Sequence, residues 1–317
     1  MKKNFPTIDF NKVTTYSILD RKSFVQVASF AAPWKKGGRF SDFLAALPDI
    51  LAGTQFRTIV ARVVAAVNAH RPVVLAMGAH VIKCGLSPLI IDLLEREIVS
   101  AVALNGAGMI HDFELAATGQ TSEDVAAALA TGEFGMGRET GQFLNEAINQ
   151  GMATGLGIGE AVGQALMASP PQYLAYSLVA SGSRLGIPVT IHVAIGTDII
   201  HTHPNANGAA IGAGTHQDFK RFVGVISQLE GGVYFNIGSA VILPEVFLKA
   251  VSTARNLGYP LKHFTTVNLD FIRHYRPTQN VVSRPIADGG EGYTLIGQHE
   301  ILLPLLAAAI IENLGSV

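Results

Sequence analysis

Residues 72–80 read PVVLAMGAH, and this stretch decides the fold. Pro72 starts a short, continuous apolar run, Val73 to Met77, which is typical of a parallel strand buried on both faces. The run ends directly in Gly78-Ala79-His80. A helical pattern of apolar residues precedes it from about Phe56 to His70. We therefore predict that a helix leads into a buried strand.

The alternation of helical and apolar segments then repeats to the end of the sequence. Further strands are predicted at 99–104, 187–195, 232–237 and 263–268. Helical patterns lie between and after them, at 89–96, 139–150, 171–185, 217–229, 244–256 and 300–313. Strands separated by helices imply crossover connections, and hence a mainly parallel sheet covered on both faces. The predicted fold class is therefore a doubly wound α/β domain.

The first 55 residues follow no sustained period. They mix polar and aromatic residues with Pro33, Gly37, Gly38 and Pro48, so we interpret residues 1–55 as an N-terminal arm with short helices. No linker, repeat or low-complexity tract interrupts the rest of the chain. Residues 56–317 are accordingly predicted to form a single α/β domain.

The composition narrows the classes of partner. Charged residues make up 15% of the 317 residues and the formal net charge is −1, so no basic excess is available to neutralise the phosphates of a nucleic acid. Apolar residues make up 49%, more than a monomer of this size needs to bury. We expect a homo-oligomer that hides apolar surface between subunits.

The cysteine count and the distribution of apolar residues predict a reducing environment outside the membrane. Cys84 is the only cysteine, which excludes an intramolecular disulfide and a CxxC zinc site. The polar residues after Met1 do not resemble a signal peptide. The longest apolar stretch, 301–311, contains Pro304 and is too short to span a bilayer. A cytoplasmic protein is expected.

Polar and glycine residues follow every predicted strand. In open parallel sheets ligands bind beyond the carboxyl ends of the strands, so one site is expected there. Side chains suited to acid–base chemistry recur at these ends. The candidate catalytic residues are His111, Asp112, His192, His201 and Asp270.

Two glycine turns are candidates for binding a nucleotide. Asn105-Gly106-Ala107-Gly108 follows the second strand and Gly238-Ser239 follows the fourth, each before a helix whose free N–H groups suit a pyrophosphate. The alternative is that these glycines only make tight turns. A third run, Gly155 to Gly159, lies between helical segments and is interpreted as helix packing. The sequence has no GxxxxGK[ST] loop and no GxSxG elbow.

A histidine cluster supports a second hypothesis. His192, Asp198, His201 and His203 fall within twelve residues, and imidazole and carboxylate groups bind zinc and other divalent metals. Their spacing matches no established metal signature, and such side chains also serve as hydrogen-bonding or acid–base groups. We therefore expect no metal and keep these four residues as the alternative metal site.

Three segments together resemble the deoxyhypusine synthase family over about 73–309. Asn105-Gly106-Ala107-Gly108 with Asp112 is similar to the family's TAGG turn, and 238–242 is similar to its GGG segment. Arg276-Pro277, followed by 281–283, resembles its RPDEAVSWGK segment. The order and the intervals of the three segments agree with those of the family.

The resemblance implies a Rossmann-like fold, a homotetramer with active sites between subunits, and bound NAD. Members of the family are transferases that oxidise spermidine with NAD and hold the aminobutyl group as an imine on a lysine. The residues that the resemblance places around the cofactor are Ala79, His80, Asn105, Gly106, Ala107, Asp198, Gly238 and Ser239. A small-molecule amine is the implied substrate.

This sequence departs from the family at the residues that perform the chemistry. Ile110 and His111 stand where the family has two glutamates that hold the polyamine, and Pro285 stands at the lysine position beside Arg284. We therefore predict that the protein is not a genuine deoxyhypusine synthase. Three hypotheses follow: an NAD-binding enzyme that uses non-lysine chemistry on an amine, a metal-dependent enzyme on the same fold, and a ligand-binding member without catalysis.

Overall fold

Six parallel strands form one sheet in the order β3-β2-β1-β4-β5-β6 in the computed structural model, which describes residues 3–315. The strands are β1 (Val73–Met77), β2 (Ala101–Asn105), β3 (Val189–His192), β4 (Val233–Ile237), β5 (Thr265–Asp270) and β6 (Glu291–Ile296). Every neighbouring pair runs parallel. The predicted fold class is confirmed, since the sheet is Rossmann-like and flanked by helices.

Helices connect and cover the strands. In chain order they are α1 (Phe40–Ala46), α2 (Leu51–Asn68), α3 (His80–Lys83), α4 (Ser87–Glu95), α5 (Gly106–Thr118), α6 (Val125–Thr131), α7 (Arg138–Thr154), α8 (Ile158–Ala168), α9 (Leu178–Leu185), α10 (Gly208–Ile226), α11 (Ile242–Asn256), α12 (Tyr275–Pro277) and α13 (His299–Asn313). Within residues 3–315 no helix combines the length and the apolar character needed to cross a membrane.

The chain divides into two compact units, Met1–Gly53 and Thr54–Val317. In the first, α1 is preceded by a largely irregular segment with short 3-10 turns at Phe10–Lys12 and Val27–Ser29. Large apolar side chains are exposed along this segment, among them Phe10, Leu19 and Phe24.

Strand β1 shows why the apolar run at 73–77 is continuous. Val74 and Ala76 pack into the core formed with α10 and α11. Val73 and Leu75 face α2, α4 and α13 on the other side of the sheet. A strand covered on both faces has no solvent-facing side, so every position is apolar.

The structure adds one strand to the sequence prediction and moves the start of one helix. Strand β6 was not predicted, because EGYTLI alternates weakly and four of its six residues are only partly buried at the edge of the sheet. Helix α10 begins at Gly208 rather than at 217, capped by Asn207. Helix α8 occupies the region of the glycine run, where a Cβ on Gly159 would lie 1.8 Å from Val189 O. That glycine thus allows close helix–strand packing, as predicted.

Candidate functional site

The strand order reverses between β1 and β4, and two glycine turns meet at that point. Gly78 N donates to Ile237 O at 2.8 Å, and Gly238 N donates to Leu269 O at 3.0 Å. A Cβ on Gly78 would lie 2.3 Å from Gly238 O, so the two backbones are in direct contact. Such a reversal opens the crevice in which open α/β sheets bind their ligands.

The turn at Gly238 is held by side chains from two strands. Asn236 Nδ2 donates to Ser239 O at 2.9 Å and to Asn268 Oδ1 at 2.8 Å. Gly238 has a φ of +63°, and a Cβ there would lie 2.7 Å from His299 Cε1. Both the left-handed backbone and the close approach of the imidazole therefore require glycine at this position.

The N-terminus of α11 follows that turn and lacks a cap from its N-cap residue. Val241 occupies the N-cap position and provides no side-chain hydrogen bond. Ser239 Oγ accepts from Leu243 N at 3.2 Å. Val241 is 47% exposed, so solvent reaches the start of this 15-residue helix. The helix dipole favours an anion at such an end.

A further glycine turn, Asn105 to Gly108 at the start of α5, is closed by side chains of the protein itself. Asn105 Oδ1 accepts from Gly108 N at 2.9 Å, and the carboxylate of Asp198 accepts from the N–H of Ala107. A Cβ on Gly106 would lie 2.1 Å from Asp198 Oδ2. The expectation that Asn105, Gly106 and Ala107 present free N–H groups to a pyrophosphate is therefore corrected, because a carboxylate already occupies this helix end.

Asp198 is the most unusual acid of this region. It is only 5% exposed, and burial raises its pKa to about 6 although Ala107 and Ala194 donate backbone hydrogen bonds that lower it. Its Oδ2 lies 3.9 Å from Nε2 of His201, whose pKa burial lowers. Within residues 3–315 neither of these two atoms has a hydrogen-bond partner. The pair is thus suited to accepting and releasing a proton near neutral pH.

A cavity of about 220 Å³ lies beside Asp198, between α3, α5 and the loop before α6. Its polar lining residues are Lys83, His111, Glu114, Ser122, Glu123, Thr197 and Asp198, and its apolar lining residues include Ile110, Val125, Phe134 and Ile199. Three carboxylates against one lysine give this cavity an acidic lining. An acidic lining favours a cationic ligand.

Glu114 belongs to a hydrogen-bonded network in this cavity. Thr121 Oγ1 lies 2.6 Å from His111 Nδ1 and donates to Glu114 Oε2, while Thr140 Oγ1 donates to Glu114 Oε1 at 3.2 Å. Burial alone raises the pKa of Glu114, but hydrogen bonds from His111, Thr121 and Thr140 outweigh it and lower the pKa. Glu114 therefore stays ionised. Its spacing from His111, three residues along one helix, is the sequence signal that would have selected it.

The Asp112 side chain, which the sequence suggested as catalytic, binds the N-terminus of a helix. Ser177 Oγ donates to its Oδ2 at 2.5 Å and Leu178 N to its Oδ1 at 2.7 Å, so Asp112 caps the start of α9. It is 1% exposed, and burial raises its pKa to about 6. Asp112 and His111 are adjacent on α5, yet they face different surroundings.

The four residues of the alternative metal site do not come together. His192 is buried against the ring of Phe222 and hydrogen-bonds Thr190, and its burial lowers its pKa to about 3. His203 Nε2 donates to Gly135 O at 2.9 Å. Of the four, the structure brings together only Asp198 and His201. The expectation that they form one metal site is corrected, because His192 is hydrogen-bonded to Thr190 and His203 to Gly135 O.

The remaining predicted residues lie near the switch point. Ala79 is the N-cap of α3, two residues after the end of β1, and His80 is the exposed first residue of that helix. Asp270 ends β5, where its Oδ1 accepts from Phe271 N at 2.8 Å and its Oδ2 lies 3.9 Å from His274 Nε2. The sequence did not predict that Phe271 and His274 would be the neighbours of the Asp270 carboxylate.

Comparisons with known proteins support the fold. No model of a protein family and no curated protein sequence matches this chain. Among solved structures, the ternary complex of AgrE with ornithine and NAD+ is similar with a TM-score of 0.53 and 14% identity, over 82% of this chain and 33% of that one. The chain thus spans about a third of AgrE.

Two further structures are similar at the same level. A conserved LOR/SDH protein candidate from Methanococcus maripaludis S2 has a TM-score of 0.50 and 15% identity, over 82% of this chain and 69% of that one. A deoxyhypusine synthase candidate from Entamoeba histolytica has a TM-score of 0.50 and 11% identity, over 90% of this chain and 98% of that one. At these identities the likeness establishes a shared fold.

Proposed function

We propose that this chain is an NAD-binding enzyme that acts on a small amine without a lysine-linked imine. The observation that carries the proposal is the contact between Gly78 and Gly238 at the reversal of strand order, directly before the solvent-exposed N-terminus of α11. The similarity to AgrE, solved with ornithine and NAD+, supports the choice of cofactor and substrate class.

The residues of the switch point fit a dinucleotide. Gly78 and Gly238 allow close backbone approach, Ala79 and Ser239 flank them, and the positive end of the α11 dipole follows. The turn at Gly106 is assigned no such role, since Asp198 fills it. Bound at this edge, NAD would accept or donate a hydride.

The acidic cavity beside Asp198 is proposed to hold the amine. Ionised Glu114 offers a carboxylate to an ammonium group, and Glu123 lines the same cavity. Asp198 and His201 would take the proton that an amine must release before it reacts. His111 holds the network from the side through Thr121. The cavity volume of about 220 Å³ limits the substrate to a small molecule.

The segment that resembles the family's lysine region has a different local role. Thr278–Ser283 forms a π-helical turn, and Arg255 donates from its guanidinium to Pro285 O at 2.6 Å. Proline has no nucleophile, and the guanidinium of Arg284, a poor nucleophile, donates to Asn280 Oδ1 at 2.8 Å. The segment therefore offers no nucleophile for the chemistry of deoxyhypusine synthase.

NAD binding at the N-terminus of α11 can be tested by placing a negative charge at position 241. A ligand that binds only the folded state raises the melting temperature, so NAD is expected to stabilise the wild-type chain. Val241→Asp places a carboxylate at the α11 N-cap and is expected to abolish that shift by repelling the pyrophosphate. Val241→Asn places a neutral side chain of the same shape as aspartate there and is the matched control, in which most of the shift is retained.

Position 241 is half-exposed, so both ligand-free variants should remain folded, and the melting temperature of each without ligand is its own reference. Differential scanning fluorimetry with NAD and with NADP measures all three proteins. If neither dinucleotide moves the wild type, the cofactor assignment fails. If Val241→Asp and Val241→Asn respond equally, the cofactor does not bind at α11.

A further inference from the structure

Three side chains that are able to bind a metal lie together at the carboxyl end of β1. His80 begins α3, Cys84 is its C-cap one helical turn later, and Glu300 is in the first turn of α13. One ligand atom from each lies within 4.8 Å of the other two. Within residues 3–315 this is the one such group of three or more.

The distances match the coordination sphere of a small ion. His80 Nε2 lies 3.3 Å from Cys84 Sγ, which lies 3.7 Å from Glu300 Oε2. A tetrahedral zinc ion with its usual bond lengths to nitrogen, sulfur and oxygen separates neighbouring ligand atoms by about 3.6 Å. Two of the three spacings therefore agree with those around a bound ion, and the third, between His80 and Glu300, is within 4.8 Å.

His299 adds an independent observation beside the cluster. It is 1% exposed, its ring centroid lies 5.6 Å from that of His80, and its Nε2 donates to Leu269 O at 3.3 Å. Its Nδ1 has no hydrogen-bond partner within the described part of the chain. A buried ring nitrogen without a partner is a group that a ligand bound beside the cluster could satisfy.

We propose that His80, Cys84 and Glu300 bind a zinc-type divalent transition metal. The thiolate favours Zn²⁺ or Co²⁺ over Mg²⁺ and Ca²⁺, which prefer oxygen ligands only. Three protein ligands leave a coordination position for water or a substrate, and solvent reaches it because His80 and Glu300 are exposed. On binding, the Cys84 thiol releases its proton and the metal–sulfur bond forms.

The site lies at the same edge of the sheet as the proposed dinucleotide site but does not depend on it. Its residues are distinct from His192, Asp198, His201 and His203. If both sites are occupied, His80 is a metal ligand and not a cofactor contact. Metal binding is measured without NAD, so failure of one proposal leaves the other standing.

Cobalt titration provides the test, because Cys84 is the only cysteine of the chain. Any thiolate-to-cobalt charge-transfer band in the near ultraviolet therefore reports this residue alone. The full-length protein, reduced and stripped of metal, is titrated with Co²⁺ and then with Zn²⁺ in competition. We expect a band that saturates at one ion per chain and is abolished when Zn²⁺ displaces Co²⁺.

Variants separate a built site from an accidental thiol. Cys84→Ser should lose the band, while His80→Ala and Glu300→Gln should each weaken cobalt affinity at least about tenfold. His216→Ala, an exposed histidine of α10, is the control and should change nothing. Circular dichroism confirms that each variant is folded. Absence of a saturating band in the wild type overturns the proposal, and so does a band that His80→Ala and Glu300→Gln leave unchanged.

Discussion

Asp198 occupies the space that any side chain at position 106 needs. A Cβ on Gly106 would lie 2.1 Å from Asp198 Oδ2 and 2.4 Å from its Cγ. Both residues are fixed, one at the first position of α5 and the other in a buried loop position. The glycine therefore serves an internal carboxylate, which binds the helix N-terminus as an external anion would.

Replacing Gly106 with alanine should destabilise the protein. The new methyl group displaces the Asp198 carboxylate from the α5 N-terminus, and we expect the free energy of unfolding to fall by about 1–3 kcal/mol. Gly212→Ala in α10 is the matched control, because nothing lies within 4 Å of that Cβ. It should raise the stability by about 0.5–1 kcal/mol. Urea denaturation measures both, and equal stability of Gly106→Ala and wild type would contradict the assigned contact.

The raised pKa of Asp198 predicts a pH dependence of stability. Its folded pKa of about 6 exceeds the ordinary 3.8, so the folded state favours the protonated form. The stability from this group is fully present below 3.8 and is lost as the pH rises through about 6. Asp198→Asn removes this loss while keeping an oxygen that accepts from Ala107. The free energy of unfolding of Asp198→Asn, compared with that of the wild type, should therefore increase as the pH rises through this range. If the two proteins show the same pH dependence, the raised pKa of Asp198 is wrong.

Asp112 is expected to act on stability and not on catalysis. Asp112→Ala leaves Ser177 and the N–H groups at the start of α9 without their acceptor inside the core, so the free energy of unfolding should fall by about 2–3 kcal/mol. Asp124→Ala removes an exposed cap of α6 and should cost only about 1 kcal/mol. A fully stable Asp112→Ala protein that has lost ligand turnover would restore the catalytic assignment.

No lysine of the chain should form an imine with an oxidised polyamine. The sequence contains no lysine after Lys262, and Lys83 is the lysine that lines the acidic cavity. Incubation with NAD and spermidine, reduction with borohydride and mass spectrometry should therefore give no aminobutyl adduct. Lys83→Arg keeps the charge and is the control. An adduct that is present in the wild type and absent in Lys83→Arg would show that the nucleophile has moved to α3.

The exposed apolar side chains of the N-terminal segment predict an oligomer, which we propose to be a homotetramer. Phe10, Leu19 and Phe24 are exposed by 81, 88 and 87%, an arrangement that favours burial against another copy of the chain. Light scattering of the full chain should give a mass above that of a monomer, and Leu19→Asp with Phe24→Asp should lower it. Lys22→Asp, in the same segment, is the charged control. If the wild type is a monomer, the prediction that these side chains are buried between subunits is wrong.

The fold was predictable because its signal is local. The run Val73 to Met77 is apolar at every position, since both faces of β1 are covered, and helical periodicity separates it from the next strand. Such patterns depend on residues a few positions apart. Strand β6 escaped detection because an edge strand that is only partly buried lacks a strong pattern.

The site was predictable only as a location. The sequence by itself determined that polar residues follow the strands and that their carboxyl ends meet at one edge. Only the tertiary structure decided that Asp198 closes Gly106, that Asp112 faces α9, and that His80, Cys84 and Glu300 converge. These contacts join residues up to 216 positions apart, as for Cys84 and Glu300. The direction of each side chain follows from long-range packing, which local periodicity does not encode.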